Sequence, residues 1–372
     1  MSDKRYKMTV TALTPIHIGS GVFLQNNTDF CIFTDKDEYR MISVIDEKKI
    51  LDLVGLEHLN DWVNSIETGE NVCDFVKRYA PKATPESFSK RCFQTFYEKR
   101  MENGSTLKEC MHDGMGRPYI PGSSIKGAIR TCVLASILNE SKDIDNLDLF
   151  DRKNTIEKQV FGSEPNYDVF RFVQIGDAFF TKNCEIATML INLNIKRTES
   201  DLKDKSKKQL VEAIGSEEEA ISTIKIETER NRLCKLKDHK IKQIPSQMSS
   251  VESLFKTINQ HTLKLLKEEV EIWEDVSQTK SGAETYIENI QSMIDEVKGC
   301  TSKECVLRLG HSSGWRFITG AWTERRSDFD RKIVPDARPH NKDYEEYMFP
   351  KSRRLDDEDY ILGFIKLSLT DK

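Results

Sequence analysis

Met8, Val10 and Ala12 alternate with Lys7, Thr9 and Thr11, the period of two that a strand requires. The run opens into Thr14-Pro15-Ile16-His17-Ile18-Gly19-Ser20-Gly21, a small loop flexed by glycine. Phe30 to Phe33 and Arg40 to Val44 flank the turn-forming Asp35-Lys36-Asp37-Glu38, which predicts a hairpin feeding a helix near Asp46 to Val54. Weakly patterned, mostly helical sequence is expected from there to about Cys110.

The sharpest local feature is Gly114 to Arg130, a loop entering a helix. Ser123 or Ser124 is the expected N-cap, and Ile125, Ile129, Cys132, Val133 and Ile137 follow at helical spacing as an inward stripe. Lys126 and Arg130, four residues apart, share a different face. A strand is predicted at Arg171 to Phe180.

From about Lys196 to Gly299 the sequence is heavily charged and predicts a helical insert on the core, with a strand pair near Ile221 to Thr228 and Ser246 to Ile258. Leu263, Leu266, Val270 and Trp273, then Tyr286, Ile290, Met293 and Val297, give two narrow apolar stripes on either side of Ser281-Gly282, the mark of a helical hairpin. Such stripes can satisfy each other, so the hairpin is expected to be an accessory module. Strand pattern returns at Cys305, Leu307 and Leu309 before Gly310-His311-Ser312-Ser313-Gly314, and a closing strand is predicted in Ile361 to Leu369. Helices and strands mix without regular alternation, which predicts an α+β fold. The division expected is an N-terminal lobe (1–195), the insert (196–300) and a C-terminal segment (301–372) that completes a second lobe.

The 372 residues allow roughly two domains of about 150 residues each. The chain shows no run of about 18 apolar residues and no charged start followed by an apolar stretch, so the expectation is a cytoplasmic protein without a membrane partner. Nine cysteines never fall into CxxC spacing, which supports neither a disulfide framework nor a zinc ribbon. No cofactor and no metal-ligand set is expected. A net charge of −5 argues against a sequence-blind nucleic-acid binder, unless the basic residues gather in one groove.

Several segments have that local chemistry. A helix start preceded by glycine and serine offers free N–H groups and a positive dipole end to an anion, with Lys126 and Arg130 adding charge. Gly122 to Gly127 lacks the GK[ST] ending of a Walker A loop, and Gly19-Ser20-Gly21 lacks the third glycine of a dinucleotide site. Neither HExxH nor GxSxG occurs. Gly310 to Arg316 combines glycine, hydroxyl, aromatic and cationic residues, a mix suited to lying against RNA. Arg325-Arg326 and Lys351-Ser352-Arg353-Arg354 are short basic clusters of the kind most often found on solvated surfaces.

Taken in order, TPIHIGSG (Thr14 to Gly21), IPGSSIKGAIR (Ile120 to Arg130), Val160-Phe161-Gly162 before Val173 to Asp177, LGHSSGWRF (Leu309 to Phe317) and FPKSRR (Phe349 to Arg354) resemble the RAMP superfamily of CRISPR proteins. Within it the chain is similar to the guide 3′-end subunit of the type III-A (Csm) effector complex. His311 stands where an aromatic is more usual. The resemblance implies modified ferredoxin-like, RNA-recognition-type lobes and a non-enzymatic role in capping guide CRISPR RNA and supporting its maturation. The implied partners are the adjacent backbone RAMP subunit, the small helical subunit and the host nucleases that trim the guide. The RNA contacts expected are His17, Gly19, Ser20, Gly21, Ser123, Ser124, Lys126, Arg130, Arg308, Gly310, His311, Ser312, Ser313, Gly314, Arg353 and Arg354.

Two rival functions remain open on sequence alone. Backbone subunits of these complexes cut target RNA with a loop aspartate and a metal ion, and Asp29 lies in the comparable region, although a lone loop carboxylate more often caps a turn. The other is a scaffold whose main contacts are protein.

Overall fold

A computed structural model describes residues 4–97, 105–141, 144–147, 155–196, 201–338, 340 and 348–370. The first strand, Arg5–Ala12, buries Met8, Val10 and Ala12 completely, as its alternation predicts. It lies between two antiparallel partners, with Val10 opposite Ala220 on one side and Leu367 on the other. The sheet built on it runs in the order Glu304–Arg308, Phe364–Leu369, Arg5–Ala12, Glu219–Ile226, Ala178–Phe179 and Tyr119–Ile120, with Val173–Ile175 also on Glu219–Ile226. The predicted strand at 171–180 is thus two short ones, broken at Gly176-Asp177 after a helical turn at Val169–Phe172.

The second sheet runs in the order Gly19–Gln25, Thr106–Cys110, Lys203–Ile214, Glu185–Asn194, Ser89–Thr95, Arg40–Ile45 and Phe30–Thr34, with Ser352–Asp356 on Glu185–Asn194. The hairpin Phe30–Thr34/Arg40–Ile45 and the helix Glu47–Val54, capped by the Asp46 carboxylate, fall where expected. The following stretch does not stay helical. After helices Leu59–Thr68 and Val72–Tyr79 it supplies the strands Ser89–Thr95 and Thr106–Cys110. With helices and strands mixed over two sheets, the α+β class is the one observed.

The segment 196–300 is divided between the sheets and the helical hairpin. Lys203–Ile214 is a central strand of one sheet and Glu219–Ile226 of the other. The first half of Lys203–Ile214 is exposed and lysine-rich, which disguises the buried Leu210 to Ile214 at its end. The strand expected at 246–258 is helical instead. Ser250 caps a helix spanning Val251–Ser277, and Val251, Leu254, Phe255 and Ile258 face inward at helical spacing.

The second helix of the predicted hairpin is Glu284–Gly299. It is no detachable module: Leu266, Trp273, Tyr286 and Ile290 share one core with Val306, Leu355, Ile361 and Phe364 from the sheets. Alternation along Glu304–Arg308 sends Val306 into that core and Cys305 and Leu307 into the main one, where the helix Gly122–Asn139 packs. No helix among the described residues is long and apolar enough to cross a membrane.

Candidate RNA interface

The two glycine loops, some 300 positions apart, meet. The His311 amide donates to the His17 carbonyl at 2.9 Å, and the two imidazoles pack edge to face with centroids 5.5 Å apart. Gly310 has φ +80°, and a Cβ there would lie 2.7 Å from the His17 carbonyl oxygen, so only glycine allows this approach. The closing strand secures both loops, because the Gly363 amide donates to the Pro15 carbonyl while the Leu309 amide donates to the Gly363 carbonyl. Gly19, Gly21, Gly310 and Gly314 are exposed along this seam, whereas Ser313 is buried and Ser312 is held at φ +72°.

Beneath the seam His17 is tied to the sheet, while His311 Nε2 and Ser312 Oγ are buried without a hydrogen-bond partner. His17 is 2% exposed and donates through Nδ1 to the Glu212 carbonyl at 2.6 Å. Burial holds its pKa below the ordinary histidine value, the Glu212 carbonyl opposing and Lys108 assisting. Burial, then Lys108, His17 and Arg354, push His311 down to about 4. Both rings are therefore neutral near pH 7, and His17 orients the loop through its fixed tautomer. The Ser20 hydroxyl donates to Glu109.

Lys108 and Arg354 supply the charge at the seam. Among the described residues neither has a carboxylate within ion-pair distance. Lys108 stands 5.6 Å from the centroid of Phe23, and Arg354 donates to the neutral Asn192 amide oxygen. Phe23 is 53% exposed on the edge strand, directly opposite Lys108 in register, and Val22 beside it is 48% exposed. An open cation pair, an exposed aromatic and close-approach glycines form a surface suited to phosphate and base together. Lys108 and Phe23 escape sequence reading because each belongs to a strand whose neighbours are set by the sheet; register alone puts them beside the loops.

The helix start is a different environment. The helix begins at Gly122 with Pro121 as its cap residue, so Ser123 and Ser124 lie in its first turn and neither serves as N-cap. The Gly122 amide donates to the Asp177 carboxylate at 2.7 Å and the Ser124 amide to the Pro121 carbonyl, so an anion already sits at the dipole end. Arg130 pairs with Asp168 at 2.8 Å and Glu157 at 3.5 Å and lies over the Phe161 ring. Lys126 makes no ion pair among the described residues; burial lowers its pKa, with Asp168 opposing and Arg130 assisting.

Two expected contacts lie inside the protein. Arg308 is 4% exposed and donates to the carbonyls of Leu362 and Ser312, so it braces the second loop from below. Arg353 is buried in a two-pronged bond to Glu269, which also accepts from Tyr286 and pairs with Arg316. Burial alone would raise Glu269, but Arg353, Arg316 and Tyr286 outweigh it and keep the carboxyl below its usual range. Asp29 closes a turn, its carboxylate accepting from the Gln25 amide at 2.8 Å.

The sequence profile of the RAMP superfamily matches residues 9–317. This chain belongs to the RAMP superfamily. No curated protein matches it. The RAMP fold found here is similar to a chain of the Csm–crRNA–target RNA ternary complex of a type III-A CRISPR-Cas system, with a TM-score of 0.69 and 20% identity over the whole of both chains. It is also similar to Csm5 of T. onnurineus, with a TM-score of 0.65 and 20% identity over 97% of this chain and all of that one.

Proposed function

We propose that this RAMP protein is a non-catalytic, RNA-binding subunit of a type III-A CRISPR (Csm) complex, and that it caps the 3′ end of the guide RNA. The observation that carries the reading is the seam: two glycine loops locked together, with Lys108 and Arg354 unpaired with any carboxylate among the described residues and standing beside the exposed Phe23. The fold likeness to Csm5 supports the choice of complex. Guide RNA, the adjacent backbone RAMP subunit and the small helical subunit are the partners, and host nucleases trim the guide up to the cap. The engagement of Asp29 in its turn supports leaving target cleavage to other subunits.

The test is to assemble the complex with and without this chain and map the guide's 3′ ends. Uniform ends only when the chain is present are expected. Identical ends in both preparations would overturn the capping role. Loss of one cut in the target-cleavage products on Asp29→Ala would replace it with the nuclease reading.

A further inference from the structure

Below the seam lies a polar cluster outside the expected RNA contacts. His112, Glu185 and Glu212 come from three separate segments, and their ligand-type atoms all lie within 4.8 Å of one another. Glu185 begins the strand Glu185–Asn194, the fully buried Glu212 lies on its partner Lys203–Ile214, and His112 follows the strand Thr106–Cys110 on that partner's other side.

The hydrogen bonds fix the histidine. Its Nδ1 lies 2.9 Å from the Cys110 carbonyl oxygen, which can only accept, so Nδ1 carries a proton. Nε2 then faces Glu185 Oε1 at 3.0 Å and Glu212 Oε1 at 3.6 Å, both acceptors. Nε2 and two carboxyl oxygens thus converge on one point, as the ligands of a cation do. The other Glu185 oxygen, on a residue 4% exposed, is buried with no hydrogen-bond partner. Arg91 bonds Glu109 and Glu212, so one guanidinium serves a group of three neighbouring carboxyls.

We propose that His112 Nε2, Glu185 and Glu212 Oε1 bind a structural zinc ion. One imidazole and two carboxylates supply three zinc positions, with water for the fourth, and a tetrahedral ion with bonds near 2.0 Å needs ligand edges of about 3.3 Å, between the 3.0 and 3.6 Å that His112 Nε2 makes to the two oxygens. A histidine whose other nitrogen donates to a backbone carbonyl is oriented as metal-ligating histidines are. The ion fixes Glu212, whose carbonyl holds His17 and whose carboxylate, through Arg91 and Glu109, reaches Ser20. It would therefore set the floor of the seam. The alternative cation is a proton, with His112 as an imidazolium.

The experiment titrates the full, metal-stripped chain with zinc and with cobalt and compares Glu185→Gln. Binding of about one equivalent is expected, with a cobalt spectrum lacking a thiolate charge-transfer band and at least ~10-fold weaker binding in the variant. No saturable binding, a thiolate band showing capture by cysteines, or unchanged binding in a folded Glu185→Gln chain would overturn the site. Anomalous scattering at the zinc edge from crystals of the zinc-loaded wild type decides it without relying on any variant folding: a peak among the three side chains supports the site, and its absence leaves the imidazolium.

Discussion

The seam and the helix start each have one pair of basic side chains, yet they offer a ligand different things. At the helix start Arg130 is neutralised by Asp168 and Glu157, and Asp177 already occupies the Gly122 amide. At the seam Lys108 and Arg354 are answered, among the described residues, by an aromatic ring and a neutral amide. What a cation can do for RNA depends on the carboxylates folded against it, and a sequence does not display those. The same lesson holds within one basic run, since the strand Ser352–Asp356 sends Arg353 inward to Glu269 and leaves Arg354 at the seam.

That contrast sets the largest expected effect. Arg353→Ala strands Glu269 without its main counter-charge in the core and should cost about 3–5 kcal/mol of stability. Arg354→Ala removes a half-exposed side chain and should stay within about 0.5 kcal/mol while weakening RNA binding. Chemical denaturation of the two variants checks both, and equal losses would erase the distinction between the neighbours.

Gly310→Val attacks the seam itself. The added side chain meets the His17 carbonyl and must adopt a positive φ, together costing about 2–4 kcal/mol. The measurement is incorporation into the complex together with guide-end mapping; the variant should be depleted or leave ragged 3′ ends. Gly314 also has positive φ but open space around a Cβ, so Gly314→Val should be the milder of the two.

A pH titration sharpens the comparison between buried and surface-facing histidines. Burial, assisted by Lys264, lowers His261 from 6.5 to about 4. The unfolded chain therefore takes up a proton first as pH falls. The stability present above pH 6.5 should drain away toward pH 4 by about 2–3 kcal/mol. His261→Gln should flatten this part of the acid limb in denaturation curves, and an unchanged limb would show that His261 does not titrate so low.

Much of this architecture was legible where alternation or helical spacing was clean. Met8, Val10 and Ala12 specified a strand, and the stripes of 263–297 specified two helices, because each side chain's burial follows from its own neighbours. Lys203–Ile214 was hidden because its exposed lysines look like a solvated insert, and the start of the helix at Val251 because a short apolar run fits either period. The glycine loops were visible at the site, since a positive φ selects glycine directly. Phe23, Lys108 and the His112–Glu185–Glu212 cluster were not, because sheet register assembles them from distant segments.

The most direct test of the claim that the seam's cations face RNA is the salt dependence of guide binding in two double variants, Lys108→Ala/Arg354→Ala and Lys126→Ala/Arg130→Ala. Each phosphate contact on a single strand contributes about 0.7 to the log–log slope. The seam pair should lower it by about 1–1.5, and the helix-start pair by about 0.7 or less, because Arg130 is already paired with Asp168 and Glu157. An unchanged slope for the seam pair, with the loss appearing in the helix-start pair instead, would contradict the account and move the RNA to the helix.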